Sequence, residues 1–475
     1  MAGSILKAAG RTWGIHPHPA ENAEKYIAKS HYFRYNQNDI LCLFPEDFFM
    51  KLLIKNGSVI DPAGDTISRM DLLLEDGKVA LLERGLEVEA DQTIDAAGLM
   101  VAPGLVDMHV HLRDPGLTYK EDVFTGTAAA ARGGVTSLVC MANTQPVTDS
   151  PEQIRYVLDR AAQGSGVRVY PVGAVSREMK GIELTDAEEL KQAGAVALSD
   201  DGCNVDNADL MRDALIRAKR LNMPILSHCE DTSMAGNRAV NEGRVSRKLW
   251  MEGRPAIAEE IMVMRDAMLA EETGAPVHIC HVSTARSVSI IRSMKKKGVA
   301  ITCETCPQYF ILTEDEILTQ GSLARVNPPL RTQKDVRGII SGLRDGTIDA
   351  IATDHAPHSA EEKARPLAKA PSGMIGLETS LALSLTYLYH TGKLELPALI
   401  RRMAYNPANI LHLAHKGRLV LGSDADVVIF DPDESWVIDP EQFASKGRNT
   451  PFAGQTVKGR VKYTIAGGRV IYKEG

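Results

Sequence analysis

The sequence predicts an α/β fold, a (β/α)8 TIM-type barrel carrying a small β-sandwich domain formed by both chain flanks. Three observations predict it. Eight apolar runs rich in Val, Ile, Ala and Leu recur near 105–111, 135–141, 167–174, 195–200, 224–229, 276–282, 299–304 and 348–353. Helical patterns separate most of them, as alternating buried strands and helices require. The flanks instead carry short strand-like runs broken by turn signals.

Taken in order, residues 1–49 stand apart. They lack the positive start and apolar core of a signal peptide. Met50 opens directly into Lys51-Leu52-Leu53-Ile54. The upstream stretch therefore reads as an N-terminal extension, either disordered or lying before a natural start at Met50. Residues 50–103 form the first part of the small β-domain, with Asn56-Gly57 as a turn signal. Pro103-Gly104 marks the entry to the barrel, which spans 104–415. Within it, Ser150 before Pro151 is an N-cap signal, followed by the stripe Ile154, Val157, Leu158 and Ala161 and closed by Gly164. Thr185 with Glu188 reads as a capping box, ended by Gly194. Residues 416–475 return to short strands around Val427, Val457 and Arg469, with Gly467-Gly468 as a turn, and complete the β-domain.

The strand ends carry the chemistry. Asp107-Met108-His109-Val110-His111-Leu112-Arg113 closes the first run. Alternate residues of a strand share a side, so His109 and His111 can aim two imidazoles at one point. His228 closes the fifth run, His281 the sixth and Asp354 the eighth, while the fourth ends in Asp200-Asp201. Nitrogen and oxygen donors without a thiolate set suit zinc or a similar divalent ion. Four histidines and two aspartates are enough for two metals sharing one carboxylate. Alternation leaves open which of Asp200 and Asp201 faces inward. These residues gather at the C-terminal ends of the strands, the face where such barrels keep their active sites. Ordinary core histidines have no reason to gather there. His278 reads as a packing histidine, and the lone pair Cys303 and Cys306 as packing.

Composition excludes several classes. A net charge of −7 and a pI near 6.0 argue against nucleic-acid binding. No run approaches the roughly 18 apolar residues of a membrane helix. Seven scattered cysteines fit reduced thiols and a cytoplasmic protein.

The motifs DMHVHLRDPG, KEDVFTGTAAAARGGVTSLVCMANTQP, LSDDG, SHCED, HICHVS, RVNPPLR, ATDHAPH and PSGMIGLET together resemble the bacterial dihydroorotases of the amidohydrolase superfamily, class I type, over about residues 50–475. Two departures are visible: the usual HLREPG reads HLRDPG, and MPNT reads MANT. Neither removes a proposed ligand. The resemblance implies reversible cyclisation of N-carbamoyl-L-aspartate to L-dihydroorotate with loss of water, in pyrimidine (UMP) biosynthesis. It implies a binuclear zinc centre, two Zn2+ per chain, with a bridging hydroxide. His109, His111 and Asp354 would bind the first ion, His228 and His281 the second, and Asp201 would bridge them. Many amidohydrolases bridge with a carboxylated lysine, but here the fourth run offers only aspartates. Arg113, Asn143, Asn327 and His358 would hold substrate, with Ser372 and Gly373 contributing backbone and His111 lying against it. The resemblance also leaves room for a homodimer and for association with aspartate transcarbamoylase.

The residue chemistry agrees with those roles. Asp354, beside the metals, can serve as ligand and general base together. Arg113 lies two residues beyond His111, on the same side in strand geometry, and a planar guanidinium suits capture of a carboxylate. The polar segment 359–373 reads as a surface loop or, more sharply, as a lid that excludes water. Two alternatives use the same fold. A dihydropyrimidinase or allantoinase would not need the arginine of HxHxR. An inactive scaffold for aspartate transcarbamoylase should have lost metal ligands, and every candidate ligand is present.

Overall fold

The computed structural model describes residues 51–475, so the reading of 1–49 and of Met50 lies outside the described residues. Two sheets organise them. The first joins the chain flanks. β1 (Leu52–Asp61), β2 (Thr66–Glu75), β3 (Lys78–Glu83), β4 (Gln92–Asp95) and β5 (Met100–Pro103) come from the N-terminal flank. The barrel strands follow in eight steps: β6 (Leu105–Val110), β7 (Val135–Cys140), β8 (Arg168–Gly173), β9 (Ala197–Leu198), β10 (Ile225–Ser227), β13 (Val277–Ile279), β14 (Ile301–Thr305) and β15 (Ala350–Ile351). Between β10 and β13 lies a two-residue ribbon, β11 (Val240–Asn241) with β12 (Gly253–Arg254). β16 (Val427–Val437), β17 (Thr456–Ala466) and β18 (Arg469–Lys473) return from the C-terminal flank. The flanking sheet runs β18-β17-β16-β5-β1-β2-β3, with β4 beside β1. Its two halves are joined where Val427–Phe430 pairs antiparallel with Met100–Pro103.

The barrel strands are parallel neighbours in chain order, β6 to β15. A parallel bridge between Val110 and His355 brings the last strand back to the first, so the ring is nearly closed. Val106, Met108, Val139, Val172, Leu226 and Ala350 form one buried cluster drawn from strands around the ring, which is the barrel interior. The outer helices pack against a second, larger core that includes Leu105, Leu138, Ile154, Met211, Val263, Ile291 and Ile339.

Several local expectations need correction. Asn56-Gly57 is not a turn. It is a bulge inside β1, where the register to β2 shifts between Ile54 and Gly57 and Asn56 takes φ 64°. Asp71 accepts the Asn56 amide at 2.7 Å, and Gly57 lies so close to Val101 that a Cβ would sit 2.4 Å from its Cγ2. Asp186, not Thr185, caps the helix Ala187–Ala193, accepting the amides of Glu188 and Glu189 at 3.1 Å. Thr185 is buried and donates its hydroxyl to the Ala174 carbonyl at 2.7 Å instead. Ser150 precedes Pro151–Ala161 as expected, but its side chain makes no capping bond. The central strands are also shorter than their apolar runs, because their last residues leave the ladder.

Candidate metal centre

Those departing residues build the site. His109 still lies in β6, but His111, Asp201, His228, His281 and Asp354 all lie just past the ends of their strands. All six are buried. His281 and Asp354 take φ of 34° and 49°, and Arg113 takes 59°. A non-glycine residue in this region costs of order 1–3 kcal/mol, and such strain concentrates at functional sites. The strand alternation invoked for Arg113 therefore does not hold. A left-handed turn, not the pleat, carries its side chain to the rim.

Asp201 stands at the centre. Its Oδ2 lies 3.4 Å from the Nε2 of both His109 and His111. Its Oδ1 lies 3.2 Å from His281 Nε2 and 3.5 Å from His228 Nδ1. Asp354 Oδ1 lies 3.1 Å from His111 Nε2 and 3.7 Å from His109 Nε2. Donor atoms about 2.0–2.2 Å from one tetrahedral zinc are roughly 3.3–3.5 Å apart, so most of these separations match ligands around shared ions. The His228–His281 pair is tighter, at 2.8 Å. Two donor triads are compact enough to hold an ion here, His109–His111–Asp354 and His109–Asp201–His281. Asp200 turns away, accepting the amides of Val175 and Ser176 at 2.7 and 3.1 Å. Of the two aspartates, only Asp201 enters the cluster.

The electrostatics favour a cation. Burial raises the Asp201 carboxyl, but the charge of His109 and hydrogen bonds from His109, His228 and His281 outweigh it and hold it well below the usual range. Burial opposes charge on His109, yet Asp201 and Glu304 lift it well above an ordinary histidine. His228 is pushed up to about 9, Asp201 and Glu230 overcoming its burial. The same field that holds a proton on these rings would hold a metal ion. His109 Nε2 and His281 Nδ1 are fully buried and have no hydrogen-bond partner. An unpartnered buried nitrogen is costly unless something else satisfies it.

Around this cluster stand the other expected residues. Asn143 Oδ1 accepts the Nδ1–H of His111 at 2.9 Å, which leaves its amide nitrogen free to donate. Asn327 Nδ2 lies 3.3 Å from His228 Nε2, and its oxygen accepts from Arg254. His358 Nε2 meets the Ser372 carbonyl at 2.8 Å. Burial, with the charges of Arg113 and Lys120, drives its pKa down to about 3, so it is neutral near pH 7. Gly373 runs at φ 137°, its amide held by the Arg325 carbonyl and its carbonyl by Lys363 and Asn449. The segment 359–373 starts with the short helix Ala360–Lys363, and the buried Lys363 ammonium ties it to the carbonyls of Pro371 and Gly373 at 3.0 Å. Asp114, at the HLRDPG departure, is buried and accepts the Tyr156 hydroxyl at 2.8 Å.

Sequence reasoning passed over Glu304 and gave Glu230 no role. Glu304 Oε1 accepts the Nδ1–H of His109 at 2.6 Å, and Glu230 Oε2 lies 3.6 Å from His228 Nε2. The available signal was a carboxylate at the end of an otherwise apolar seventh run. Cys303 and Cys306 are buried free thiols outside every metal-competent group among the described residues.

Comparison with known proteins follows this geometry. A family model described as dihydro-orotase-like matches residues 98–287. The chain is similar to the dihydroorotase of Acetivibrio thermocellus, 48% identical over 423 residues, covering 89% of this chain and 99% of the relative. It is 49% identical to that of Geobacter metallireducens over 425 residues, covering 89% and 100%. Among solved structures it resembles the L-hydantoinase (dihydropyrimidinase) from Arthrobacter aurescens, with a TM-score of 0.82 at 28% identity, over 90% of this chain and 97% of that one. A dihydropyrimidinase from Brevibacillus agri follows at a TM-score of 0.78 and 25% identity, over 89% and 95%.

Proposed function

The chain belongs to the dihydroorotase family of cyclic-amide hydrolases, and on that premise we propose that it interconverts N-carbamoyl-L-aspartate and L-dihydroorotate at the rim cluster. One observation carries the substrate choice. The Arg113 guanidinium is buried beside the cluster with no carboxylate in ion-pair range among the described residues. Its contacts are the Pro357 carbonyl at 3.4 Å and His358 Nε2 at 3.5 Å. A buried cation without an anion is unfavourable, and the carboxylate on the dihydroorotate ring would supply it. Dihydrouracil would not.

The donor set fits two divalent ions, zinc by ligand type, with Asp201 shared between His109–His111–Asp354 on one side and His228–His281 on the other. Bound there, such ions would polarise the substrate carbonyl and lower the pKa of water. In hydrolysis, Asp354 takes a proton from the attacking water as its oxygen bonds to the ring carbonyl carbon. It returns that proton to the ring nitrogen as the C–N bond breaks. In ring closure, Asp354 takes a proton from the ureido nitrogen, which attacks the side-chain carboxyl carbon, and gives it to the departing carboxyl oxygen, which takes one further proton from solvent and leaves as water. Arg113 and Asn143 hold the substrate carboxylate. Asn327, His358 and Ser372–Gly373 form the walls that orient the ring, and His111 bounds its metal-facing side.

The reading places the reaction in the cytoplasm, supported by six described cysteines that are all free. No helix of the described residues is long and apolar enough to cross a membrane. A protein partner, a second copy or aspartate transcarbamoylase, is supported by the helix Ile257–Thr273. It exposes Ile257, Ile261, Met264 and Met268 at helical spacing.

The test is turnover of dihydroorotate and dihydrouracil by zinc-loaded protein, before and after chelation. Dihydroorotate should be preferred by at least about 30-fold, with activity lost on chelation and restored by zinc. Comparable turnover of dihydrouracil would put a dihydropyrimidinase in place of this reading.

A further inference from the structure

Glu304 ends the seventh barrel strand, and no step assigned above uses it. It is fully buried, like the histidine it meets. Its Oε1 lies 2.6 Å from His109 Nδ1, and its Oε2 lies 3.4 Å from His278 Nε2. His278 is itself buried, with Nδ1 2.8 Å from the Thr302 hydroxyl. The half-buried Thr302 and the buried His278, Glu304 and His109 thus form one line across β13, β14 and β6, ending at the metal cluster.

Distance and charge together decide what the contact is. His109, Cys280 and Glu304 are close enough in principle to form a third metal-competent group. An imidazole N–H and a carboxylate 2.6 Å apart form a charge-assisted hydrogen bond, unlike two imidazoles at a similar distance, neither of which is an anion. The proton on that bond sits on Nδ1. That leaves Nε2, the buried nitrogen that no protein group satisfies and that points to Asp201 and Asp354, as the one able to offer its lone pair to an ion. We infer that Glu304 is the positioning residue of this centre, fixing the tautomer and rotation of His109 through Nδ1, with His278, itself held by Thr302, at ion-pair distance from its other oxygen. The inference rests on the metal reading above. It adds that the affinity of the centre depends on a residue that touches neither ion nor substrate.

A carboxylate behind a metal-bound histidine fixes the ring and raises its basicity, and losing such a partner typically weakens binding about 10–100-fold. Glu304→Gln keeps the shape and removes the charge. Zinc affinity is measured by chelator competition, and the cobalt-substituted protein by its visible absorption. The expected result is at least about tenfold weaker binding of one of the two ions and an altered cobalt spectrum. At saturating zinc, KM for dihydroorotate should stay unchanged while kcat falls. Glu304→Asp, which keeps the charge on a shorter arm, should recover part of the affinity, and it carries the same test if the glutamine variant does not fold. Thr302→Val should weaken binding in the same direction by less. Wild-type affinity and an unaltered cobalt spectrum in Glu304→Gln would overturn the inference alone. Failure of the unmodified protein to bind zinc or cobalt would remove the metal reading, and this inference with it.

Discussion

Beside the flanking sheet, Lys416 is buried next to Asp424, 2.7 Å away, and in contact with Asp426, while Lys78 reaches Asp424 at 2.6 Å. At the barrel rim, His109, His111, His228 and His281 surround Asp201 and Asp354 at greater depth, and two ring nitrogens stay unpartnered. Both regions gather charge away from water. The first closes on itself, each ammonium meeting a carboxylate, and needs nothing more. The second gathers six donors with two ring nitrogens unpartnered, strained backbone at His281 and Asp354, and an arginine with no ion-paired carboxylate among the described residues. Buried charge that is satisfied marks structure, and buried charge that is left open marks a site for something that binds.

The comparison can be broken at either end. The largest effect is expected at Asp354. Asp354→Asn removes the proton acceptor, and general-base loss typically costs about 100- to 10,000-fold in kcat. Full turnover by the variant with metal bound would refute the base role. Next comes Arg113→Met, expected to lower kcat/KM for dihydroorotate at least about a hundredfold while metal content holds. It should also narrow the preference over dihydrouracil. If both substrates fall together, Arg113 is structural and the open cation at the rim was misread.

The flanking cluster should answer differently. Lys416→Ala leaves the buried Asp426 without its cation and Asp424 with Lys78 alone, a loss of about 3–5 kcal/mol of stability. Melting temperature should drop, while kcat and metal content of the folded fraction stay at wild-type values. The smallest effect is in acid. Burial raises the Asp424 carboxyl, but Lys416 and Lys78 outweigh it and bring it down to about 2. A carboxylate depressed in the folded state adds stability above its unfolded pKa of about 4, and loses it as pH falls through its folded value. The stability of the unmodified protein should therefore fall from about pH 4 to pH 2. Lys416→Ala should flatten that part of the curve.

What the sequence disclosed follows the same division. The eight strand runs and the ligands at their ends were legible because both are local. An apolar run and the residue that follows it are neighbours in the chain, and His109, His228 and Asp354 announce themselves beside them. Choices settled by folding were not legible. Asp200 and Asp201 are equivalent until the amides of Val175 and Ser176 claim one of them. Asn56-Gly57 has the composition of a turn, and only pairing with β2 and contact with Val101 make it a bulge. Glu304 has no meaning until the seventh strand comes round to the first, 195 residues away in the chain. Arg113 reaches the rim through a left-handed backbone, which strand alternation does not describe.

Parallel elemental analysis tests most directly whether the rim cluster holds metal. Zinc per folded chain would be measured for the unmodified protein, Asp201→Ala and Lys416→Ala after the same dialysis. The account predicts two ions in the unmodified protein and in Lys416→Ala, and a clear loss in Asp201→Ala. Less than half an ion per chain in active unmodified protein, or full occupancy in Asp201→Ala, would contradict it.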